Sequence, residues 1–216
     1  MSDDGWLAAA ATLAAIVLYE LWHSLAQRRR PRELARSAHA SLREEWFSAL
    51  SAQAGSEILA VQTLRNSLMS ATMTASTAVL GLMGSITLAA PSLHATFDPS
   101  HPVSQLFTPR LLVELMLLAL LFSALASSVM AVRYYTHASF IGSMPTGSAA
   151  RGRWADAGGA YVRKAGLLYS WSLRSLLLIV PLVAYLLHAY AGPAAAVLVT
   201  GVLYGFDRTI AAPPQA

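Results

Sequence analysis

Apolar residues occur in four long blocks along the chain, separated by more polar segments. The blocks cover residues 6–26, 67–90, 111–132 and 173–204. A helix needs about 20 consecutive apolar residues to cross a bilayer, so the pattern predicts four membrane-spanning helices. The last block exceeds one span by about ten residues, and Gly192 and Pro193 lie within it. Two alternatives follow for this block: a kinked helix, or a chain that turns back at Gly192–Pro193 and ends in a short fifth helix.

The segment between the first two blocks has the periodicity of a helix. Leu42, Trp46 and Phe47 form one apolar edge of it. This pattern predicts a cytoplasmic amphipathic helical segment over 31–62, packed on the membrane or on the other helices, with a plain solvated helix as the alternative. The small and polar residues at 52–57 are expected to interrupt it.

Basic residues predict the orientation of the chain in the membrane. Arginines cluster at 26–36 and recur with a lysine over 133–172, whereas 91–110 has a single arginine. Because cytoplasmic loops carry the excess of Lys and Arg, segments 27–66 and 133–172 are predicted to be cytoplasmic, and the N-terminus and 91–110 to be outside. The prolines, serines and aspartate of 91–110 predict a loop without regular structure. The tail 211–216 is predicted to be disordered.

Composition supports a membrane protein and excludes several kinds of site. The chain is 56% hydrophobic and 12% charged, against about 25% charged residues in soluble domains. It has no cysteine, which excludes disulfides, thiol catalysis and thiolate-bound metals. The isoelectric point near 9.7 is interpreted as an attraction to anionic lipid on the cytoplasmic side rather than to nucleic acid.

Polar side chains at the ends of the predicted spans are the candidate functional residues, because charge at membrane depth is costly. On the predicted topology, they all fall near the cytoplasmic boundary. Two interpretations remain open. One is a belt of residues whose charges reach the head groups. The other is an inward-facing cluster, with Glu20 paired to Arg65 or Arg174, that binds an anion or a lipid head group or lines a pore mouth. The candidates are Glu20, His23, Arg65, Asn66, Arg133, His137 and Arg174.

The second span carries a long face of small residues. Such faces let helix backbones approach closely, so this one is predicted to pack tightly within the monomer or between copies. The same face could line a narrow polar path. Its principal members are Ser67, Ala71, Thr74, Ala78, Gly81 and Gly84.

Known catalytic and cofactor motifs are not found in the sequence. It has no His-Glu-x-x-His, phosphate-loop or Gly-x-Ser-x-Gly pattern, which favours a protein that is not an enzyme. The glycine-containing stretch 139–153 lacks phosphate-loop spacing and is interpreted as a flexible loop. The favoured prediction is a protein without a metal or a cofactor. Haem bound between histidines of facing helices is the less favoured alternative, because the histidines predicted to be helical lie at different depths.

Four stretches resemble one family over nearly the whole chain. They are "ILAVQTLRNSLMSATMTAST" (58–77), "REEW" (43–46), "FSALASSVMAVRYYTHASFIGSMP" (122–145) and the block from Ala160 to Asp207 with its internal Gly-Pro. They resemble the family catalogued as domain of unknown function 599, and the Leu-Arg-Asn-Ser string is the most specific part. The resemblance implies a multi-span membrane protein of a kind found in bacteria and plants, without an established activity.

These observations predict an all-α integral membrane protein, expected in the bacterial inner membrane. The favoured function is a homo-oligomeric channel, transporter or lipid-binding protein in contact with anionic membrane lipids. The alternative is a structural or accessory subunit of a larger membrane complex. A channel or transporter requires a polar path, whereas an accessory subunit requires a large apolar contact face.

Overall fold

A computed structural model describes residues 3–29, 35–97 and 108–207, and the regular structure in these ranges is entirely helical. The helices are α1 (Asp3–Arg29), α2 (Ala35–Ala52), α3 (Glu57–Phe97), α4 (Pro109–Gly142), α5 (Ala149–Leu177), α6 (Ile179–Leu187) and α7 (Ala191–Asp207). Four helical stretches are long and apolar enough to cross a membrane: Asp4–Ala26, Glu57–Thr96, Pro109–Gly142 and Ala149–Leu187. The predicted all-α fold with four principal spans is confirmed.

The end of α3 differs from its sequence-based boundary. Irregular structure was predicted from residue 91, but α3 continues through Pro91 to Phe97. A proline removes one backbone donor and does not by itself end a helix of this length. The predicted start of the cytoplasmic segment at Pro31 and the tail 211–216 lie outside the described residues. Between α2 and α3, the chain turns at Gly55, which has a φ of +83°.

The helices are distributed over two compact units, each with its own core. Unit 1 contains α1, the parts of α3 and α4 over 77–97 and 109–123, and the chain from Arg174 to Asp207. Its core is aliphatic, with Tyr185 as the one aromatic residue that is fully part of it. The buried core residues of unit 1 are Ala8, Ala9, Ile16, Val113, Leu117, Leu121, Leu178, Leu182, Tyr185, Val199 and Leu203.

Within unit 1, the last apolar block bends once and then reverses. The bend lies at Leu178, between α5 and α6, where Pro181 cannot donate the hydrogen bond that the carbonyl of Leu177 would accept in a regular helix. The reversal lies at residues 188–190, after α6. The predicted interruption at Gly192–Pro193 is therefore slightly displaced, and both residues fall in the first turn of α7, where proline is well tolerated.

Contacts with α1 establish the directions of these helices. Arg174 contacts Glu20, and the Tyr185 hydroxyl donates to the Gly5 carbonyl at 3.0 Å, so the chain from the end of α5 through α6 runs antiparallel to α1. Gly192 lies beside Thr12, and the rings of Tyr204 and Trp22 lie with centroids 5.2 Å apart, so α7 runs parallel to α1. The chain doubles back, which is the second of the two alternatives left open by the sequence.

Unit 2 contains α2, residues 57–76 and 124–142, and α5 up to Leu173. Phe47 of α2 is the largest fully buried side chain of its core, which otherwise combines alanines and aliphatic side chains with Tyr135. Deeper in this unit, the hydroxyls of Ser128 and Ser172 lie 2.5 Å apart, and Ser172 also donates to the carbonyl of Ala124. These bonds join α4 to α5 without an unpaired hydroxyl in the core.

Candidate functional site

Five polar side chains of unit 1 meet where α1, α5 and α7 lie together. They are called the polar cluster here: Tyr19, Glu20, His23, Arg174 and Asp207. Tyr19 and Glu20 precede His23 by four and three residues, a spacing that places all three on one face of α1. Arg174 is near the end of α5, and Asp207 is the last residue of α7. Three helices thus place charged groups in one location.

Arg174 bridges the two carboxylates of the polar cluster. Its Nε donates to Glu20 Oε1 at 2.5 Å and its Nη1 donates to Asp207 Oδ2 at 2.9 Å. The guanidinium carbon lies 4.9 Å from the centroid of the Tyr19 ring, a distance typical of a cation–π contact. The side chain of Arg174 is only 5% exposed. A planar group with several fixed donors suits this double role better than an ammonium group does.

Asp207 connects α7 to α1 as well as to α5. Its Oδ2 accepts a hydrogen bond from the Tyr19 hydroxyl at 2.8 Å. The same oxygen lies 3.3 Å from His23 Nε2, and this contact is an ion pair only when the imidazole is protonated. His23 is completely buried. The carboxylate of Asp207 therefore receives contacts from both neighbouring helices.

The charges of the polar cluster do not balance when His23 is neutral. Two carboxylates then face one guanidinium, and a proton on His23 would remove the excess negative charge. In the described part of the chain, Arg174 Nη2 and His23 Nδ1 are buried and have no hydrogen-bond partner. Buried polar atoms are rarely left unpaired, and the exceptions often mark functional positions.

The remaining candidates from the sequence are not part of the polar cluster. Arg65, Asn66, Arg133 and His137 belong to unit 2, and all four are exposed. Glu20 pairs with Arg174, so of the two predicted pairings the structure contains the second. The exposure of these four side chains agrees with the belt interpretation, and Arg65 and Arg133 lie two or more turns inside α3 and α4.

An aromatic surface of unit 2 adds to this interpretation. The rings of Tyr134 and His137 lie 5.7 and 5.8 Å from that of Tyr161. The Lys164 ammonium lies 5.8 Å from the Tyr134 ring. Tyrosines beside exposed cations are typical of the boundary between hydrocarbon and head groups. Tyr134 is thus part of a surface of this kind, whereas its neighbour Tyr135 is buried in the core of unit 2.

The small face of α3 is only partly used for packing within each unit. Ala71, Thr74 and Ala78 are buried, Ser67 and Gly81 are half-buried, and Gly84 is exposed. A Cβ atom on Gly81 would lie 2.8 Å from a methyl group of Leu121, whereas a Cβ on Gly84 would have no neighbour within 4 Å. Close approach therefore requires glycine at position 81 and not at position 84.

Sequence reasoning missed two members of the polar cluster, Tyr19 and Asp207. Asp207 follows the last apolar block closely, and this position is the signal that could have marked it as a candidate. It was overlooked because its charge is next to the opposite charge of Arg208. Sequence reasoning also missed Arg151, which lies in the stretch interpreted as a flexible loop. Arg151 is 2% exposed, and its Nη1 donates to the carbonyls of Ile141, Gly142 and Met144 at 2.7–3.0 Å.

Arg151 therefore caps the end of α4, whose last carbonyls lack partners within the helix. Its Nη2 also donates to the Ser51 hydroxyl at 3.1 Å. In the same connection, Glu57 Oε1 accepts hydrogen bonds from the backbone N–H and the hydroxyl of Thr146. Side chains of α2 and α3 thus hold the connection between α4 and α5. Residues 139–142 and 149–153 of the stretch interpreted as a flexible loop are helical, so that interpretation was wrong for both of its ends.

Comparison with known proteins identifies a family but no activity. The family model described as "Protein of unknown function, DUF599" matches residues 7–212. No curated protein and no solved structure matches the chain. Within the described residues, no three histidine, aspartate or glutamate side chains are grouped so as to hold a metal ion.

Proposed function

The chain belongs to the DUF599 family of proteins of unknown function, and from this premise we propose that it is a non-enzymatic transporter or channel for protons or small cations. In this proposal it resides in the bacterial inner membrane as a homo-oligomer surrounded by anionic lipids. The observation that carries the proposal is the polar cluster, because charged groups buried among membrane-spanning helices mark ion and proton pathways more often than they serve stability alone.

The charge of the polar cluster favours a cation over an anion. With neutral His23, an entering anion would meet two carboxylates and one guanidinium, and would be repelled. A proton or a small cation would instead neutralise the excess charge. Because Arg174 and Asp207 also join α5 and α7 to α1, cation binding at Asp207 would weaken the bonds that hold α7. Binding and helix movement would thereby be coupled.

The described helices also suggest a closed state of the pathway. Thr12 is buried on the same face of α1 as the polar cluster, and its hydroxyl donates to the Ala8 carbonyl. Between Thr12 and His23 lies Ile16, which is 1% exposed. A pathway along this face would need Ile16 and the facing residues of α7 to separate.

Ion flux in reconstituted vesicles tests the proposal. The protein would be placed in liposomes that enclose a pH-sensitive dye, and a potassium gradient with valinomycin would drive proton entry. The expected result is flux above that of empty liposomes, reduced by about tenfold or more in Asp207→Asn, which removes a charge-assisted contact worth about 1.5–3 kcal/mol. Asp156→Asn is the matched control, since Asp156 is exposed and lies in unit 2.

Two results would count against the proposal. Parent protein that conducts no better than empty liposomes, with protons or with potassium, would favour the alternative of a structural or accessory subunit. Equal flux in the parent and Asp207→Asn would mean that ions cross elsewhere. Co-purification of the full-length protein from its own membrane would then test the accessory role directly.

A further inference from the structure

A groove of about 360 Å³ opens on the surface of unit 1, between α3, α4 and α6. Its volume is within the range of small-molecule sites, about 300–1,000 Å³. The walls are mostly apolar, with one cationic side chain. Residues that line it include Gly84, Ser85, Leu88, Arg110, Leu117 and Leu187.

The groove exists because α3 has no side chain at position 84. A Cβ on Gly84 would have no neighbour within 4 Å, so the space beside it is open rather than closely packed. Leu187, on the opposite wall, is 83% exposed. From Gly81 to Leu88 the groove follows two turns of α3, or about 10 Å along the helix axis.

Arg110 provides the polar end of the groove. It lies in the first turn of α4, and its Nε donates to Glu114 Oε1 at 2.8 Å. Its side chain is nevertheless 59% exposed, and no other hydrogen bond of its guanidinium is found among the described residues. Arginine binds phosphate through paired parallel donors. The pair with Glu114 offsets its charge, so recognition of a phosphate here depends on hydrogen bonds more than on net charge.

Arg110 also lies at the depth of the head groups. Pro109 begins α4, and the apolar residues that make it a span follow Arg110 directly. Arginine at a helix end places its charged group among the lipid phosphates. The apolar part of the groove, which extends from Arg110 to Leu117, therefore runs from the head-group level toward the hydrocarbon.

We infer that this groove is a binding site for a membrane phospholipid, which places one acyl chain against Gly84 and its phosphate at Arg110. A phospholipid joins a phosphate to an acyl chain in one molecule, and this combination matches one arginine at the head-group end of an apolar groove. On the predicted topology, the lipid belongs to the outer leaflet. The site is separate from the polar cluster, and the inference does not depend on ion transport.

Photo-crosslinking tests the site with the full-length protein. The probe is a phospholipid with a diazirine in one acyl chain, added in trace amount to vesicles of phosphatidylethanolamine and phosphatidylglycerol. Adducts are mapped by mass spectrometry. The expected adducts lie on 81–88 of α3 and on 183–187 of α6, in clear excess over other exposed apolar faces.

Variants at Gly84 give the decisive comparison. Each methylene that loses its apolar contact weakens acyl-chain binding by about a factor of four. Gly84→Leu fills the groove and should reduce the groove adducts by about tenfold or more, with Gly84→Ala intermediate. Gly201→Leu is the matched control, because Gly201 is also an exposed helical glycine with no neighbour within 4 Å of a Cβ. It should leave the adducts unchanged. If Gly84→Leu fails to fold, the intermediate reduction of adducts expected for Gly84→Ala provides the test.

Arg110 gives a separate readout of the phosphate. Arg110→Lys keeps a cation beside Glu114 but loses the paired donors, so groove adducts should fall by about threefold or more. Adducts spread evenly over exposed faces, or unchanged in Gly84→Leu, would overturn the inference. Crosslinks to a second protein copy from a photo-reactive amino acid in place of Leu187, without lipid adducts in the groove, would also overturn it and identify the occupant as another subunit.

Discussion

Removal of the guanidinium of Arg174, as in Arg174→Gln, leaves the carboxylates of Glu20 and Asp207 without their shared cation. Loss of one partner from a buried ion pair costs about 3–5 kcal/mol. The carboxylate side chains are 26% and 17% exposed, and water therefore screens part of the repulsion. We expect a loss of about 2–3 kcal/mol in the free energy of unfolding.

A neutral triple variant separates charge from packing. Arg174→Gln combined with Glu20→Gln and Asp207→Asn removes the unpaired carboxylates and keeps side chains of similar size. Replacement of a whole buried ionic group by neutral residues is often nearly neutral in stability. The triple variant is therefore expected to recover to within about 1 kcal/mol of the parent.

Thermal unfolding in mild detergent, followed by the fluorescence of the five tryptophans, measures both variants. For a chain of this size, 1 kcal/mol corresponds to about 2–4 °C, so Arg174→Gln should melt about 4–12 °C below the parent. An unchanged melting temperature would refute the reasoning. A triple variant as unstable as Arg174→Gln would show that the packing of Arg174 on Tyr19 matters, and not the unpaired charges.

Three further outcomes are expected. Gly192→Leu should destabilise the protein by about 1–3 kcal/mol in the same thermal assay, because a Cβ at Gly192 would lie 2.6 Å from the Thr12 hydroxyl oxygen. Arg151→Lys should make the connection between α4 and α5 exchange amide hydrogens faster, since lysine cannot serve three carbonyls and a hydroxyl together; unchanged exchange would contradict the capping role. In intact cells, an impermeant thiol reagent should label a cysteine introduced at Ser92 but not one at Ser148, and the reverse pattern would overturn the predicted orientation.

The spans were predictable because their signal is local. A stretch of about 20 apolar residues is sufficient by itself to predict a membrane helix. Each of the first three predicted blocks falls inside one helix of the structure. The position of the last reversal was less predictable. Gly-Pro is a strong sign of an interruption, but Pro193 is equally suited to the first turn of the helix that follows.

The polar cluster was only half predictable because its contacts are distant in sequence. Arg133 directly follows the third apolar block and Arg174 lies at the start of the fourth, yet Arg174 is buried and Arg133 is exposed. Residue type and spacing do not reveal which face of a helix meets its neighbours. Asp207 contacts Tyr19 across 188 positions, and no local pattern encodes that pairing.

The reversal of the chain after α6 has a consequence for biosynthesis. It brings α7, the last of the described helices to be synthesised, beside α1, the first. Glu20 and Tyr19 must therefore remain without Arg174 and Asp207 while the intervening helices enter the membrane, across separations of 154 and 188 residues. Contacts between such distant positions form late in folding. A nascent chain that stops before α7 would carry an incomplete set of ionic contacts, a defect that membrane quality control can recognise.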